Sequence, residues 1–384
     1  MESSRELKGR EIAEGNLVKR LSDHSYHVQS QTGEGFYCVV NKKFKWTCEC
    51  PDHEYRAVDC KHIWAVRFSL ALRKEVQAAQ VQVIEPLADI QACIFCNSVQ
   101  IVRDGLRHNQ HGNIQKWNCK TCGRYFTVNL GFERMKHTPQ VVTTAMQLYF
   151  GGQSLRTTAK SLRLLGVDVT HKTVFMWIKK YTALMEKYLD RITPQVSDTW
   201  RADEIYVKMK GNANWLFALM DDETRFWIAR EVATSKERHD ARHLLSNGAE
   251  IAGKKPKLFI TDGLAAYHDA YLREFWTQDR HTEHISHISF SQSGYHNNQR
   301  MERFNGELRD REKVMRSLKT PNTPIISGMQ IFHNYIRPHT GLNGQTPAEV
   351  SGIAILGENK WLTIIQNAKQ HSIEILSNRD TNRE

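Results

Sequence analysis

From residue 199 onward, apolar positions come in short runs separated by turn residues. Thr199 to Met209 is rich in β-branched and aromatic residues and partly alternates. Trp200, Ala202, Glu204 and Tyr206 share one side; Arg201, Asp203, Ile205 and Val207 share the other. Gly211-Asn212 predicts a turn, Trp215 to Met220 a returning strand, Asp221 to Thr224 a second turn and Arg225 to Val232 a third strand, giving a three-stranded meander. A helix is expected from Ser235 to Leu245. Pro256 to Asp262 reads as a short buried strand whose last residue, before Gly263, faces a cleft. A helix from Leu264 to Phe275 and a weaker strand from Thr282 to Ser289 follow. Antiparallel strands followed by alternating helices and strands predict an α/β fold, a mixed sheet with helices packed on it. Asn297 to Lys319 then changes to helical spacing. Met301, Phe304, Leu308, Met315 and Leu318 form one apolar seam, and Glu302, Asn305, Arg309, Lys313 and Arg316 lie on the neighbouring face.

The first half is patterned differently. Residues 1–35 are polar with a partial helical reading. Phe36 to Trp46 predicts two short strands joined at Asn41 to Lys43, and residues 71–92 predict a helix end and a linker punctuated by Pro86. Residues 138–182 predict three helices. Thr138 caps the first with Pro139 behind it; Ser154 to Leu165 is the second, ending at Gly166; Thr170 caps the third. On the third, Val174, Trp177, Ile178 and Tyr181 face inward, and His171, Lys172, Lys179 and Lys180 face outward. That is the layout of a helix-turn-helix DNA reader, with Lys172, Lys179 and Lys180 as DNA contacts. Near the end, Thr346 to Glu349 is a capping box, and the tail beyond Ser377 is charged.

The eight cysteines fall into two groups, leaving Cys38 over. Without a secretory signal, this pattern favours thiolates on metal over disulfides. In extended chain Cys48 and Cys50 point to the same side, and Cys60 with His62 at a helix start would close a tetrahedral site; His53 is a competing ligand. Cys93 and Cys96, then Cys119 and Cys122, are paired knuckles whose intervening strands, at Gln100 to Arg103 and Gln115 to Asn118, predict a zinc ribbon. Each set is expected to hold one structural Zn2+. Asp203 on the first strand, Asp262 at the end of the fourth and Glu302 on the late helix would bring three carboxylates together, which requires a cation. Hard oxygen ligands suit Mg2+ or Mn2+, and two ions about 3.5–4 Å apart would suit a phosphodiester displacement. Arg303, Arg309, Lys313 and Arg316 would track DNA phosphates.

Charge sharpens this division. The 384 residues carry a formal net charge of +11, and residues 1–197 hold 28 Lys+Arg against 18 Asp+Glu, whereas residues 198–320 hold 20 against 19. A first half that grips a polyanion and a near-neutral half that performs chemistry are implied. With no run of eighteen apolar residues, neither a transmembrane helix nor a membrane partner is expected, and the chain reads as cytoplasmic.

Trp200 to Gly211, Thr261-Asp262-Gly263, Asn298 to Arg316 and Phe332 to Glu349 together resemble the catalytic core of the DDE transposases of prokaryotic insertion sequences, relatives of retroviral integrases. The resemblance covers roughly residues 137 to 351. It implies an RNase H-like fold with Asp203, Asp262 and Glu302 as the acidic triad. The interval of 40 positions from Asp262 to Glu302 is slightly wider than the family's commonest spacing, so Glu307 and Glu283 stand as rivals. The Cys48, Cys50, Cys60 and His62 order resembles the SWIM zinc finger. The expected organisation is a SWIM-type module over 1–85, a zinc ribbon over 86–132, a helix-turn-helix over 133–195, the catalytic domain over 196–352, and a C-terminal helix and tail over 353–384. The function implied is Mg2+-dependent cleavage at element ends and transfer of the 3′-hydroxyl into target double-stranded DNA by a homodimer or larger assembly. The alternatives are a nuclease without joining activity and a transposase-derived DNA-binding regulator.

Overall fold

A computed structural model describes residues 3–381 except 16, 23–24, 32–34, 43–44, 80, 88–91, 110–111, 128–129, 134, 277–280, 287–298, 316–317, 319 and 321–322. The chain divides into two compact units, Met1–Val81 and Gln82–Glu384.

In the first unit, α1 (Ser4–Glu14) starts at Ser3, whose hydroxyl accepts from the Glu6 N–H while the Glu6 carboxylate accepts from the Ser3 N–H. A four-stranded antiparallel sheet follows in the order β1 (Val18–Ser22), β2 (Ser25–Gln29), β3 (Phe36–Lys42), β4 (Lys45–Cys48). Only β3 and β4 match the sequence expectation. The first two strands occupy a stretch with just Tyr26 and Val28 buried in alternation on β2, too short a period-two signal to stand out. Two helices, α2 (Pro51–Arg56) and α3 (Lys61–Ala79), complete the unit. Gly9 sets the approach of α1 to α3: a Cβ there would lie 2.5 Å from the Trp64 Cβ. Ile12, Val28, Val39 and Ile63 are fully buried in this unit's own core.

The second unit begins with β5 (Gln82–Ile84), which pairs in parallel with β14 (Ile353–Ile355) near the chain's other end. That pairing explains why the first unit stops at Val81 and not at residue 85. The ribbon is an antiparallel sheet of β6 (Ile101–Asn109), β7 (Gly112–Cys119) and β8 (Tyr125–Thr127). Next come α4 (Pro139–Phe150) and α6 (His171–Leu189), capped by Thr138 and Thr170 as their sequences predict, and between them α5 (Leu155–Leu164), whose cap is Ser154, the residue at which the sequence reading began the helix. These three helices share one continuous core with the sheet that follows; Phe150, Trp177 and Tyr181 belong to the same cluster as Trp200 and Trp227.

That sheet has the order β11-β10-β9-β12-β13. The meander is β9 (Thr199–Met209), β10 (Asn212–Asp221) and β11 (Trp227–Ala233), antiparallel throughout. Lys210 and Gly211, with φ of 50° and 91°, link β9 to β10, the positive angles a two-residue hairpin of right-handed twist requires. After α7 (Arg238–Ala252), β12 (Leu258–Thr261) lies parallel to β9. After α8 (Ala265–Glu274), β13 (Glu283–Ser286) lies parallel to β12. This 3-2-1-4-5 order, with the second strand antiparallel to the rest, is the RNase H-like sheet. Its two faces are distinct. Phe217 contacts Tyr267 of α8, and a Cβ on Gly248 of α7 would strike Leu219 at 2.2 Å, so odd positions of β10 face α7 and α8. Cross-strand register then puts Ala202 and Glu204 on that face, and Asp203, opposite Ala218, on the other.

The other face is crossed by α9 (Gln299–Glu312), with Met301, Phe304 and Leu308 buried against the sheet. The expected helix to Lys319 is shorter in the structure. The Met315 N–H is shared between the Arg311 and Glu312 carbonyls, the tightening of a last turn. Met315 and Leu318 are still buried, beyond the helix. Next come α10 (Pro324–Ile331), a π-helical turn at Phe332–Ile336, a 3-10 turn at Thr340–Leu342, α11 (Pro347–Val350) with the expected Thr346/Glu349 capping box, β14 and α12 (Lys360–Thr381).

Candidate metal centres and nucleic-acid contacts

The parallel ladder between β9 and β12 ends at the pair Ile260–Arg201. Continuing the register by two residues puts Asp262 level with Asp203. β12 has stopped there while β9 runs on, so both successive β9 side chains flank the vacated edge. One carboxylate oxygen each of Asp203, Glu204 and Asp262 lies within 4.8 Å of the others. Asp203 is half-buried, Glu204 buried and Asp262 exposed. Burial, then Asp262 and Glu204, push the Asp203 carboxyl up to about 7, opposed by the Glu204 N–H and by Arg309. Glu204 is also raised, mainly by burial, with Lys236 opposing. The fully buried Tyr267 hydroxyl feels the same carboxylates and is pushed far above its usual range, first by burial. An all-oxygen set with unbalanced negative charge is a ligand set for a hard divalent cation.

Helix α9 meets this cluster through Asn305, whose Nδ2 donates to Asp203 Oδ2 at 2.7 Å. The helix is fixed at both ends. Arg300 pairs with Asp222 at 2.7 Å, as does Arg201 at 2.5 Å, and the Glu312 carboxylate accepts from the Lys208 N–H at 2.9 Å. Glu302 lies one turn before Asn305, is exposed, and falls outside the group whose oxygens meet within 4.8 Å. Both rivals also fall outside that group. Glu307 is held by Arg337 through two contacts of 2.5 and 3.0 Å, and Glu283 is exposed on β13. The structure therefore brings Asp203 and Asp262 together and adds Glu204, which the sequence reading placed on the other side of the strand from Asp203, with Trp200, Ala202 and Tyr206. The signal that would have found it is the early stop of β12, which strand alternation alone conceals.

Both sulfur-rich sets assemble. Donor atoms of Cys48, Cys50, Cys60 and His62, all buried, lie within 4.8 Å of one another. His62 Nδ1 is 3.8 Å from Cys48 Sγ and 4.0 Å from Cys60 Sγ. His53 is outside the set; its Nδ1 is 2.7 Å from the Val58 carbonyl oxygen. In the ribbon, Cys93–Cys122 and Cys96–Cys119 Sγ separations are both 3.6 Å. A tetrahedral ion with thiolates at about 2.3 Å has edges of about 3.8 Å, so these separations fit one four-coordinate metal per set.

The cations expected on DNA are placed as follows. Lys172, Lys179 and Lys180 are exposed on α6, and Lys180 sits over the Tyr181 ring at 4.9 Å. Arg303 is exposed and lines a cavity of about 250 Å³ with Arg300, Phe304 and His333. Arg309 is exposed beside Asp203, and Lys313 pairs with Asp310 at 2.8 Å. Arg316 lies outside the described residues. The segment from Phe332 is structural: Asn334 brackets the β11 edge, accepting from the Trp227 N–H at 2.8 Å and donating to the Trp227 carbonyl at 3.0 Å. Tyr335 and His339 are buried with it.

Residues 197–339 match a family model described as a DDE domain, and residues 26–68 match the SWIM zinc finger. The transposase for insertion sequence element IS257 in transposon Tn4003 of Staphylococcus aureus is 27% identical over 135 residues, which is 34% of this chain and 58% of that protein. The transposase for insertion sequence-like element IS431mec of S. aureus strain Mu50 matches to the same extent. The chain thus spans less than two thirds of the length of these relatives. Among solved structures, the HTLV-2 integrase catalytic core domain in complex with magnesium aligns with 42% of this chain and 98% of its own, at 18% identity and a TM-score of 0.31. A score this low leaves the fold assignment to the strand order itself. Among the described residues, no helix is long and apolar enough to cross a membrane.

Proposed function

We propose that this chain, which carries a DDE domain and a SWIM zinc finger, is a DNA transposase that acts in the cytoplasm, cutting the ends of a mobile element and joining them to target DNA. The observation that carries the reading is the meeting of Asp203 and Asp262 at the end of the β9–β12 ladder, beneath a helix pinned to Asp203 by Asn305. Two Mg2+ or Mn2+ ions held by Asp203 and Asp262, with Glu302 joining from α9, would supply nucleophile activation and charge neutralisation at phosphorus.

The chain's own residues do the rest. Asn305 fixes the rotamer of Asp203. Arg309 sets a positive charge beside the carboxylates where a DNA phosphate would approach, Lys313 just past the end of α9 extends it, and Arg303, in the cavity with Phe304 and His333, would meet the backbone from another side of the helix. These contacts position the backbone and carry no sequence information. Sequence reading is assigned to α6 through Lys172, Lys179 and Lys180. Because α4 to α6 share a core with the sheet, a DNA end held there is held rigidly relative to the carboxylates. The two sulfur-rich sites hold structural Zn2+ and present the basic first half to DNA. Action at two ends calls for at least two copies of the chain.

The test is purified zinc-loaded protein with a labelled element end, target plasmid and Mg2+. Cleavage and joining are expected, and both should vanish in Asp203→Asn, Asp262→Asn and Glu302→Gln. Hydrolysis without joining would identify a nuclease instead. Mg2+-indifferent DNA binding without product would identify a regulator.

A further inference from the structure

Glu204 is 8% exposed, and its two carboxylate oxygens have different surroundings. One accepts from Lys236 Nζ at 2.6 Å; the other, Oε2, is buried and, among the described residues, makes no hydrogen bond of normal geometry, the buried Tyr267 hydroxyl being the one other donor that acts on this carboxylate. Lys236 is fixed on the far side, with its ammonium 3.8 Å from the centre of the Trp215 ring. An anionic oxygen buried without a well-placed donor is costly, and the Glu204 carboxylate, one of whose oxygens lies within 4.8 Å of an oxygen each of Asp203 and Asp262, carries that cost beside two like charges. A second side chain, from the opposite face of the sheet, shows the same defect. Asn305 is 1% exposed, its amide nitrogen is committed to Asp203, and its buried Oδ1 has no partner among the described residues. Glu204 and Asn305, each with one buried oxygen that lacks a normal hydrogen bond among the described residues, thus border the Asp203–Asp262 pair, while Glu302 stays exposed and apart.

Building on the reading of Asp203 and Asp262 as cation ligands, we propose that Glu204 is a direct ligand of the first divalent cation. That ion binds among Asp203, Glu204 and Asp262 in the DNA-free protein, and Glu302 joins only when DNA is engaged. Three carboxylates outweigh the Lys236 ammonium and the exposed Arg309 guanidinium beside them, and one divalent cation offsets the remaining negative charge. Lys236 occupies one oxygen of Glu204 and so competes with the ion for that carboxylate.

The experiment is a Mn2+ titration of zinc-replete, DNA-free, full-length protein, read by the electron paramagnetic resonance signal of free Mn2+. One tight Mn2+ per chain is expected. Glu204→Gln should weaken it by more than about a hundredfold, beyond the scale of about 10–100-fold on which loss of an outer-shell partner is felt, while Glu302→Gln leaves it within about twofold. Lys236→Met, which leaves all carboxylates in place, should tighten it severalfold; this variant decides the matter even if Glu204→Gln proves unstable by thermal melting. Wild-type affinity in both Glu204→Gln and Lys236→Met, with binding lost in Asp203→Asn, would overturn the role of Glu204 and leave the Asp203–Asp262 reading standing. Wild-type affinity in Asp203→Asn as well would remove that reading too.

Discussion

The ribbon cluster and the carboxylate cluster are built in opposite ways. Cys93, Cys96, Cys119 and Cys122 belong to a module whose buried core is Cys93, Cys119 and Phe126, so the ligands are themselves the core. Asp203, Glu204 and Asp262 sit at the rim of a large core that contains Trp200, Trp227, Phe217 and Phe259, none of which depends on an ion. In the first case little apolar core stands behind the thiolates beyond Phe126 and the partly buried Phe95, Ile101 and Trp117, so a bound metal would be the module's main cross-link. In the second the sheet holds like charges together against their repulsion, and a cation would relieve a strain that the fold already sustains. The module of residues 26–68 lies between these extremes, since Cys48, Cys50 and Cys60 share a core with Ile12, Val28, Val39 and Ile63.

The largest effect should come from breaking the first cluster. Cys119→Ser, or zinc removal by a chelator, is expected to abolish amide-exchange protection across 101–127, because small zinc modules draw about 10–16 kcal/mol from the ion. Protection in β9 and β10 should persist, since their core has no metal ligand in it. Exchange mass spectrometry peptide by peptide reads both. Loss of protection in β9 along with the ribbon would show that the two are one cooperative unit and erase the contrast.

Next in size, Asp203→Asn and Asp262→Asn should lower strand cleavage by about 10³-fold or more, the scale at which removal of one preorganised charge-stabilising group is felt. They should do so without unfolding the sheet, so that activity and melting temperature part company. The equivalent change in the ribbon loses both together.

What the sequence made legible follows the same contrast. The cysteine sets could be read from spacing because all ligands of each set lie on short adjacent segments. The meander was legible because Trp200, Ile205 and Val207 are β-formers and because turn residues at Gly211-Asn212 and Asp221 to Thr224 bound the apolar run Trp215 to Met220, too short for a helix. The pairing of Asp203 with Asp262 needed the topology as well, and Glu204 was hidden by alternation: on an intact ladder it would point away from Asp203. Glu302 was grouped with the aspartates from the face it occupies on α9, and the structure leaves it exposed, one turn from Asn305. The end of α9 at Glu312 was also unreadable, since the apolar seam continues through Met315 and Leu318 after the helix has stopped. The β5–β14 pairing joins segments some 270 positions apart, with no local signal in either.

A third effect should appear as a pH dependence. Asp203 titrates near 7 in the folded protein against an ordinary value of 3.8. An acid raised on folding favours the protonated native state. Its contribution is fully present below pH 3.8 and is lost as pH rises through 7, an upper limit of about 4 kcal/mol. In buffer free of added divalent ions, with the zinc sites left loaded, the melting temperature of the second unit should fall between pH 4 and pH 7. Asp203→Asn should flatten that slope. Adding Mn2+ at pH 8 should restore the loss in wild type and do little in the variant. A slope unchanged by Asp203→Asn would mean that the carboxylates are not under the repulsion their spacing implies.

The smallest effect separates two glutamates on one helix. Glu307 is locked to Arg337 by contacts of 2.5 and 3.0 Å with both side chains about two-fifths exposed, a geometry worth about 1 kcal/mol or less once solvent screening is counted. Glu302, one turn from the residue that holds Asp203, is exposed and available to move toward an ion. Glu307→Gln should therefore lower the melting temperature slightly, by an amount that shrinks in high salt, and keep strand cleavage within a fewfold of wild type. Glu302→Gln should do the reverse, with stability unchanged and cleavage gone. If Glu307→Gln instead abolishes cleavage while Glu302→Gln spares it, Arg337 must release Glu307 when DNA binds. The third acid of the site would then come from the far side of α9, and the pinning of Asp203 by Asn305 would no longer mark the face that turns toward the metal.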